Sequence, residues 1–260
     1  MGFPPSRLRH RWLKATIVAA VAVTLTGCGS TRFSAPEPVT GQGKDILNLW
    51  QGSVIAALGV GALVWFLIIY SLVRFRRRND ELPGQAPYNV PIEVVYTVVP
   101  LVVVAVLFAF TMRTERGVTA IVDEPDLVVD VIGFQWQWQF VYPDEGITVT
   151  GEPDEPATLV LPVGRTVRLR LESPDVVHSF WVPRFLSKRD LIPGVRNEID
   201  VDVDEPGTWV GRCAEFCGLD HYRMNFSVRA VPVREFDRWV ETQAAEQADP
   251  GGPGDRGPQP

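Results

Sequence analysis

Hydrophobic and polar positions divide this chain into two contrasting parts. Residues 50–73, WQGSVIAALGVGALVWFLIIYSLV, and 92–112, IEVVYTVVPLVVVAVLFAFTM, are nearly unbroken apolar runs; the first carries no charge and the second only Glu93. At about 1.5 Å per helical residue, either run can cross a hydrocarbon layer of roughly 30 Å. Beyond residue 118 the apolar runs become short and turn residues separate them. In TVRLRLE, Val167, Leu169 and Leu171 alternate with Arg168, Arg170 and Glu172, the period of a half-buried strand. LVVDVIGFQWQWQFVY (127–142), TVTG, ATLVLP, VVHSFWVP, RNEIDVDVD, GTWVGRC and NFSVRAVP supply further strands. Trp136 and Trp138, two apart, are expected to share one strand face. REFDRWVETQAAE (234–246) reads as a short helix, and the Gly/Pro-rich end as disordered. The fold class is therefore a transmembrane helical hairpin of two helices followed by an all-β sandwich or barrel.

Charge orients the hairpin. RFRRR at 74–78 follows the first span directly, so the positive-inside rule puts the 74–90 loop in the cytoplasm and everything beyond about residue 114 outside. Pro100 removes a backbone donor inside the second span and is expected to bend it. Glu93 is either an intramembrane functional carboxylate or a group facing water at headgroup depth. At the start, Arg7, Arg9, Arg11 and Lys14 precede a short apolar stretch, Ile17 to Leu25, and then LTGC. This resembles a bacterial lipoprotein signal, which implies cleavage and a lipid anchor at Cys28. The expected organisation is a signal peptide (1–27), an external N-terminal segment (28–49), the membrane hairpin (50–113), the β domain (114–234), and a short helix with a disordered tail (235–260).

Residues 118–250 carry 24 Asp and Glu against 12 Lys and Arg, a balance of −12, whereas the whole chain stands at −6. Such an acidic outer domain repels nucleic acid and steers a basic protein partner.

The chain has three Cys and three His. His10 and Cys28 belong to the leader and its expected anchor. The others are His178, standing alone, and Cys213, Cys217 and His221 in GRCAEFCGLDHYRM, which also holds Glu215 and Met224. Two thiols, two imidazoles and a thioether form a soft donor set that suits copper and not calcium or magnesium. A blue-copper site uses one thiolate; two can bridge a pair of ions. A Cys213–Cys217 disulfide, a Cys2His2 zinc site and a Cys–His nucleophile are the competing readings. No C-x-x-C-H is present, so covalently bound c-type haem is not expected.

DVVHSFWVP, DLIPGVRNEID and CAEFCGLDHYRM closely resemble the copper-loop motifs of subunit II of the bacterial aa3-type haem–copper cytochrome c oxidases, and the chain's style is similar to actinobacterial members. The likeness covers about residues 45–240. It implies a cupredoxin-like Greek-key sandwich holding binuclear copper A. His178, Cys213, Cys217, His221 and Met224 match the side-chain ligands and Glu215 the backbone ligand. The Glu215 carboxylate matches one that reaches magnesium or manganese at the subunit I interface, near which Asp175 and Arg196 organise polar contacts. Trp136, in GFQWQWQF, matches the residue where cytochrome c delivers its electron, and Glu93 the mouth of a proton channel. Implied partners are subunits I and III, membrane lipid, and either cytochrome c or the cytochrome c subunit of a bc complex joined to the oxidase in a supercomplex. The implied activity is transfer of electrons to haem in subunit I, where oxygen is reduced to water with proton pumping. A quinol oxidase subunit II shares the fold without the copper ligands. Nitrous oxide reductase shares the copper domain without the hairpin. A copper-binding assembly lipoprotein is the remaining alternative.

Overall fold

The computed structural model describes residues 31–248, apart from 78–79, 81–83, 86 and 153–154. The signal segment, Cys28 with its expected lipid, and the tail beyond 248 lie outside the described residues.

Helix α1 (Gly41–Arg74) has 34 residues. That is about 51 Å of helix, well over the roughly 30 Å a hydrocarbon layer needs. It starts ahead of the apolar run, and its first turns dock on the outer domain. Thr40 caps it, its Oγ1 accepting the Gly43 N–H at 3.0 Å. Val39 is fully buried, donates its N–H to Arg184 O at 3.0 Å and accepts from Asp204 N at 2.9 Å. Gln42 Nε2 donates to Asp202 Oδ2 at 2.8 Å, and Lys44 pairs with Asp204 at 2.9 Å. Gly43 is required at this contact: a Cβ would stand 2.9 Å from the Phe185 carbonyl oxygen.

Helix α2 (Val90–Val118) returns across the membrane. Asn89 caps it and Pro91 occupies its first turn, where the missing N–H costs no hydrogen bond. The hairpin's apolar side chains point outward, the inverse of a soluble protein.

The outer domain stacks two five-stranded sheets. β1 (Leu127–Phe134), β2 (Gln137–Tyr142), β3 (Ile147–Thr150), β5 (Thr166–Glu172) and β8 (Asn197–Asp202) form the first, in the order β3-β2-β1-β5-β8. β4 (Thr158–Pro162), β6 (His178–Val182), β7 (Ser187–Leu191), β9 (Gly207–Cys213) and β10 (Asn225–Val231) form the second, in the order β4-β10-β9-β6-β7. Two parallel pairs, β1 with β5 and β10 with β4, are the signature of chain crossing between sheets; the remaining strand pairs are antiparallel. Strict alternation of buried and half-buried residues in β1, β2 and β5 puts one face of each strand in the core. Between the sheets, Phe226 stacks on Phe180 and tilts against Trp138, each with centroids 4.8 Å apart. Helix α3 (Val233–Ala248) closes one end through buried Phe236 and through Trp239, 5.0 Å from Tyr142.

Strand β7, SKRDL, has no apolar alternation to reveal it in the sequence. It lies at a sheet edge, where charged side chains protect unpaired backbone from further strand addition.

Trp136 and Trp138 do not share a strand face, contrary to the expectation from their spacing. Trp136 occupies the turn between β1 and β2, half-buried, whereas Trp138 is in β2 and 1% exposed. The physical reason is the turn: strand alternation stops at Phe134 and resumes at Gln137, so a two-residue spacing across Trp136 fixes no common face; the indoles donate to the same loop, Trp136 to Cys217 O at 3.2 Å and Trp138 to Met224 O at 3.3 Å.

Candidate metal centre

Both ligand-bearing segments meet at one pole of the sandwich. His178 opens β6 and is completely buried. Cys213 ends β9, and the chain then loops through Cys217 and a short helical turn, His221–Arg223, before Met224 leads into β10. The loop is closed at its base, where Cys213 N–H donates to Met224 O at 3.0 Å. Next to this, Ala214 N–H donates to Ser179 O at 3.1 Å.

Cys217 Sγ is central. It lies 3.8 Å from Cys213 Sγ, 3.5 Å from His221 Nδ1 and 3.7 Å from Met224 Sδ. Cys213 Sγ in turn lies 3.9 Å from His178 Nδ1 and 3.2 Å from the Glu215 carbonyl oxygen. All six sequence-nominated donors therefore gather around two thiols. Both cysteines are free. Their sulfurs are too far apart for a disulfide bond of about 2.05 Å, yet one ion with metal–sulfur bonds of about 2.3 Å can touch both. The ligating atoms of His178, Cys213 and Cys217 all lie within 4.8 Å of one another. The residues thus fit a metal with a preference for sulfur and imidazole nitrogen.

The histidine is held from behind. His178 Nε2–H donates to Asp175 Oδ1 at 2.9 Å, which leaves the Nδ1 lone pair facing the thiols. Asp175 also accepts from Val176 N at 2.6 Å and Gln135 N at 2.8 Å. Burial alone would raise the Asp175 carboxyl, but these donors and His178 outweigh it and hold it below its ordinary value. Burial likewise opposes ionisation of Cys213, yet hydrogen bonding to His178 and to main-chain groups of Glu215 and Ser179 brings it down to about 7. Burial, and then the charge on Cys213, push Cys217 up to about 12. The two thiols are thus shifted in opposite directions, and because a metal binds them as thiolates, its uptake releases protons.

Glu215 turns its two ends different ways. Its carbonyl faces Cys213, while its carboxylate binds Lys188 Nζ at 2.6 Å. Lys188 also contacts Asp190, which accepts from buried Ser179 Oγ at 2.7 Å. Arg196 pairs with Glu172. Glu93 is remote from this pole; its carboxylate accepts the Asn89 N–H at 2.9 Å and helps cap α2. The sequence singled out neither Gln135 nor Lys188. Their contacts join residues 82 and 27 positions apart, a pairing with no periodicity to betray it.

A family profile described as the transmembrane domain of cytochrome C oxidase subunit II matches residues 33–113, and one described as its periplasmic domain matches residues 149–231. A probable cytochrome c oxidase subunit 2 from Streptomyces coelicolor is 40% identical over 284 residues, covering 93% of this chain and 89% of the relative. The chain belongs to the cytochrome c oxidase subunit II family. A second subunit II relative, from Nocardia farcinica, is 33% identical and covers 92% of this chain and 82% of its own length. A crystal structure of the periplasmic domain of subunit II from Bradyrhizobium japonicum is 34% identical, with a TM-score of 0.45, covering 48% of this chain and 99% of that one. As a subunit II with two membrane-length apolar helices, the protein is a multi-pass membrane protein whose cupredoxin-like domain lies outside.

Proposed function

We propose that this chain is the electron-accepting subunit of a cytochrome c oxidase, holding binuclear copper A at the pole described above. The observation that carries the proposal is the position of Cys217 Sγ, within 3.8 Å of a second thiol, an imidazole nitrogen and a thioether sulfur. His178, Cys213, Cys217, His221 and Met224 supply the side-chain ligands and Glu215 the carbonyl ligand. When bound, the copper pair supplies a one-electron carrier whose charge is spread over two ions and two sulfurs.

The chain's own residues account for the rest. Burial of His178 and both cysteines excludes water, and strands β6 and β9 fix their directions, so little need move when charge changes. Trp136 is the receiving residue for an electron from cytochrome c. Its indole N–H reaches Cys217 O at 3.2 Å, a short bonded path from the surface to a ligand residue. The acidic outer domain attracts a basic donor. Electrons leave for haem in subunit I, where oxygen is reduced to water with proton pumping. The Glu215 carboxylate, part-exposed beside the site and paired with Lys188, would supply a ligand to magnesium or manganese at the subunit I interface. Glu93 takes up protons at the cytoplasmic side. Subunits I and III, the lipid bilayer, and cytochrome c or the cytochrome c subunit of a bc complex are the partners.

The kinetic test uses the assembled oxidase. With Trp136→Leu, stopped-flow oxidation of reduced cytochrome c should slow by about tenfold or more, the cost of roughly 1.4 kcal/mol in the barrier, at unchanged copper content. An unchanged rate would remove Trp136 from the path. Glu93→Gln should lower turnover and proton uptake together; unaltered proton uptake would leave Glu93 as a helix cap alone.

A further inference from the structure

Cys217 presents two groups in different directions. Its thiol faces the metal-binding pole, and its carbonyl faces the β1–β2 turn. That carbonyl accepts two hydrogen bonds, from Gln135 Nε2 at 2.8 Å and from Trp136 Nε1 at 3.2 Å. Gln135 is anchored a second time: its main-chain N–H donates to Asp175 Oδ2 at 2.8 Å, and the other oxygen of the same carboxylate holds His178 Nε2 at 2.9 Å. One turn residue therefore grips the support of His178 with its backbone and the peptide of Cys217 with its side chain. The approach is close. Gly218, the next residue of the loop, has φ of +121°, and a Cβ there would stand 3.1 Å from both Gln135 Nε2 and the Trp136 ring.

We infer that Gln135 is a positioning residue for the metal centre, locking the Cys217 peptide, and with it the thiolate's direction, to the Asp175–His178 pair. The inference rests on the copper reading above and adds a residue outside the ligand set. The chemistry demands an amide. A glutamate of the same length cannot donate to a carbonyl, and a leucine of similar bulk offers no donor. An exposed glutamine beside Trp136 also suits a simple docking contact with the electron donor, and the two roles have opposite signatures. A docking contact alters KM for cytochrome c and leaves the isolated subunit untouched. A positioning residue alters the metal centre with no partner present.

The experiment compares full-length wild type, Gln135→Leu and Gln135→Glu in detergent, each loaded with copper. Optical and EPR spectra, copper loss to a chelator, and the melting temperature of the metal-free chain are recorded. Both variants are expected to shift the visible bands and to lose copper about tenfold faster, the factor corresponding to one well-made hydrogen bond. Their metal-free melting temperatures should fall by no more than the few degrees that one hydrogen bond carries. Unchanged spectra and retention in both variants, with a raised KM in the assembled oxidase, would overturn the inference in favour of docking. A lowered metal-free melting temperature that accounts for the copper loss would overturn it in favour of general stability. Absence of a paired-copper spectrum in wild type itself would bring down the copper reading, and the inference with it.

Discussion

The two histidines at the metal-binding pole are held in opposite ways. His178 sits on a strand, fully buried, with Nε2 tied to Asp175 and Asp175 tied in turn to the main chain of Gln135 and Val176. His221 sits in a short helical turn of a loop, half-buried, against the ring of Phe216, which is itself 82% exposed. One half of the site is built into the sandwich before any metal arrives. The other half rests on loop geometry beside an exposed aromatic ring. The sheets thus provide rigidity on one side, while the loop leaves the other side exposed. The N-terminal strap extends the rigid half. Val39 and Gly43 grip the turn Pro183–Phe185, which continues directly from the strand that carries His178.

Removing the thiol common to both halves should have the largest effect. Cys217→Ser deletes the atom that contacts Cys213, His221 and Met224, so atomic absorption should show paired copper abolished, with at most one ion remaining. The histidines should then separate. His178→Ala opens a buried cavity and takes one donor from the Asp175 carboxylate, and should destabilise the metal-free outer domain by about 2–4 kcal/mol. His221→Ala should cost it less than about 1 kcal/mol, as expected of a half-exposed loop residue. Denaturant titration followed by tryptophan fluorescence checks both; equal losses would erase the distinction between the halves. Gly43→Val drives a side chain into the Phe185 carbonyl and should cost about 1–3 kcal/mol by overpacking, with perturbation at the His178 side. Phe216→Ser should be the smallest, within about 0.5 kcal/mol for the free subunit, yet it should weaken association with the rest of the oxidase in pull-down from detergent. Undiminished association would show that Phe216 is not covered.

Much of this arrangement was legible in the sequence because the informative residues are rare or periodic. Two long apolar runs with RFRRR between them define the hairpin, and alternation in TVRLRLE and its counterparts defines most of the strands. Cys213, Cys217, His221 and Met224 lie close in sequence, so their common loop was visible at once. The missing pieces are contacts rather than patterns. Gln135 with Cys217, Lys188 with Glu215, and the strap at Thr40 against Val203 join distant segments through ordinary polar or small residues. Strand β7 was hidden because an edge strand can satisfy its backbone without an apolar face. Spacing alone put Trp136 and Trp138 on one strand face, whereas Trp136 belongs to the turn before β2, which an apolar pattern does not mark.

In the proposed function, two thiols hold two copper ions as one electron carrier. Metal content and EPR of the copper-loaded full-length chain test it most directly. Two coppers per chain and a seven-line hyperfine pattern, from one unpaired electron shared equally by two copper nuclei, are expected. One copper per chain with a four-line pattern, persisting after the thiols have been fully reduced and reloaded, would contradict it and leave a single-metal site built on His178, Cys213 and Cys217.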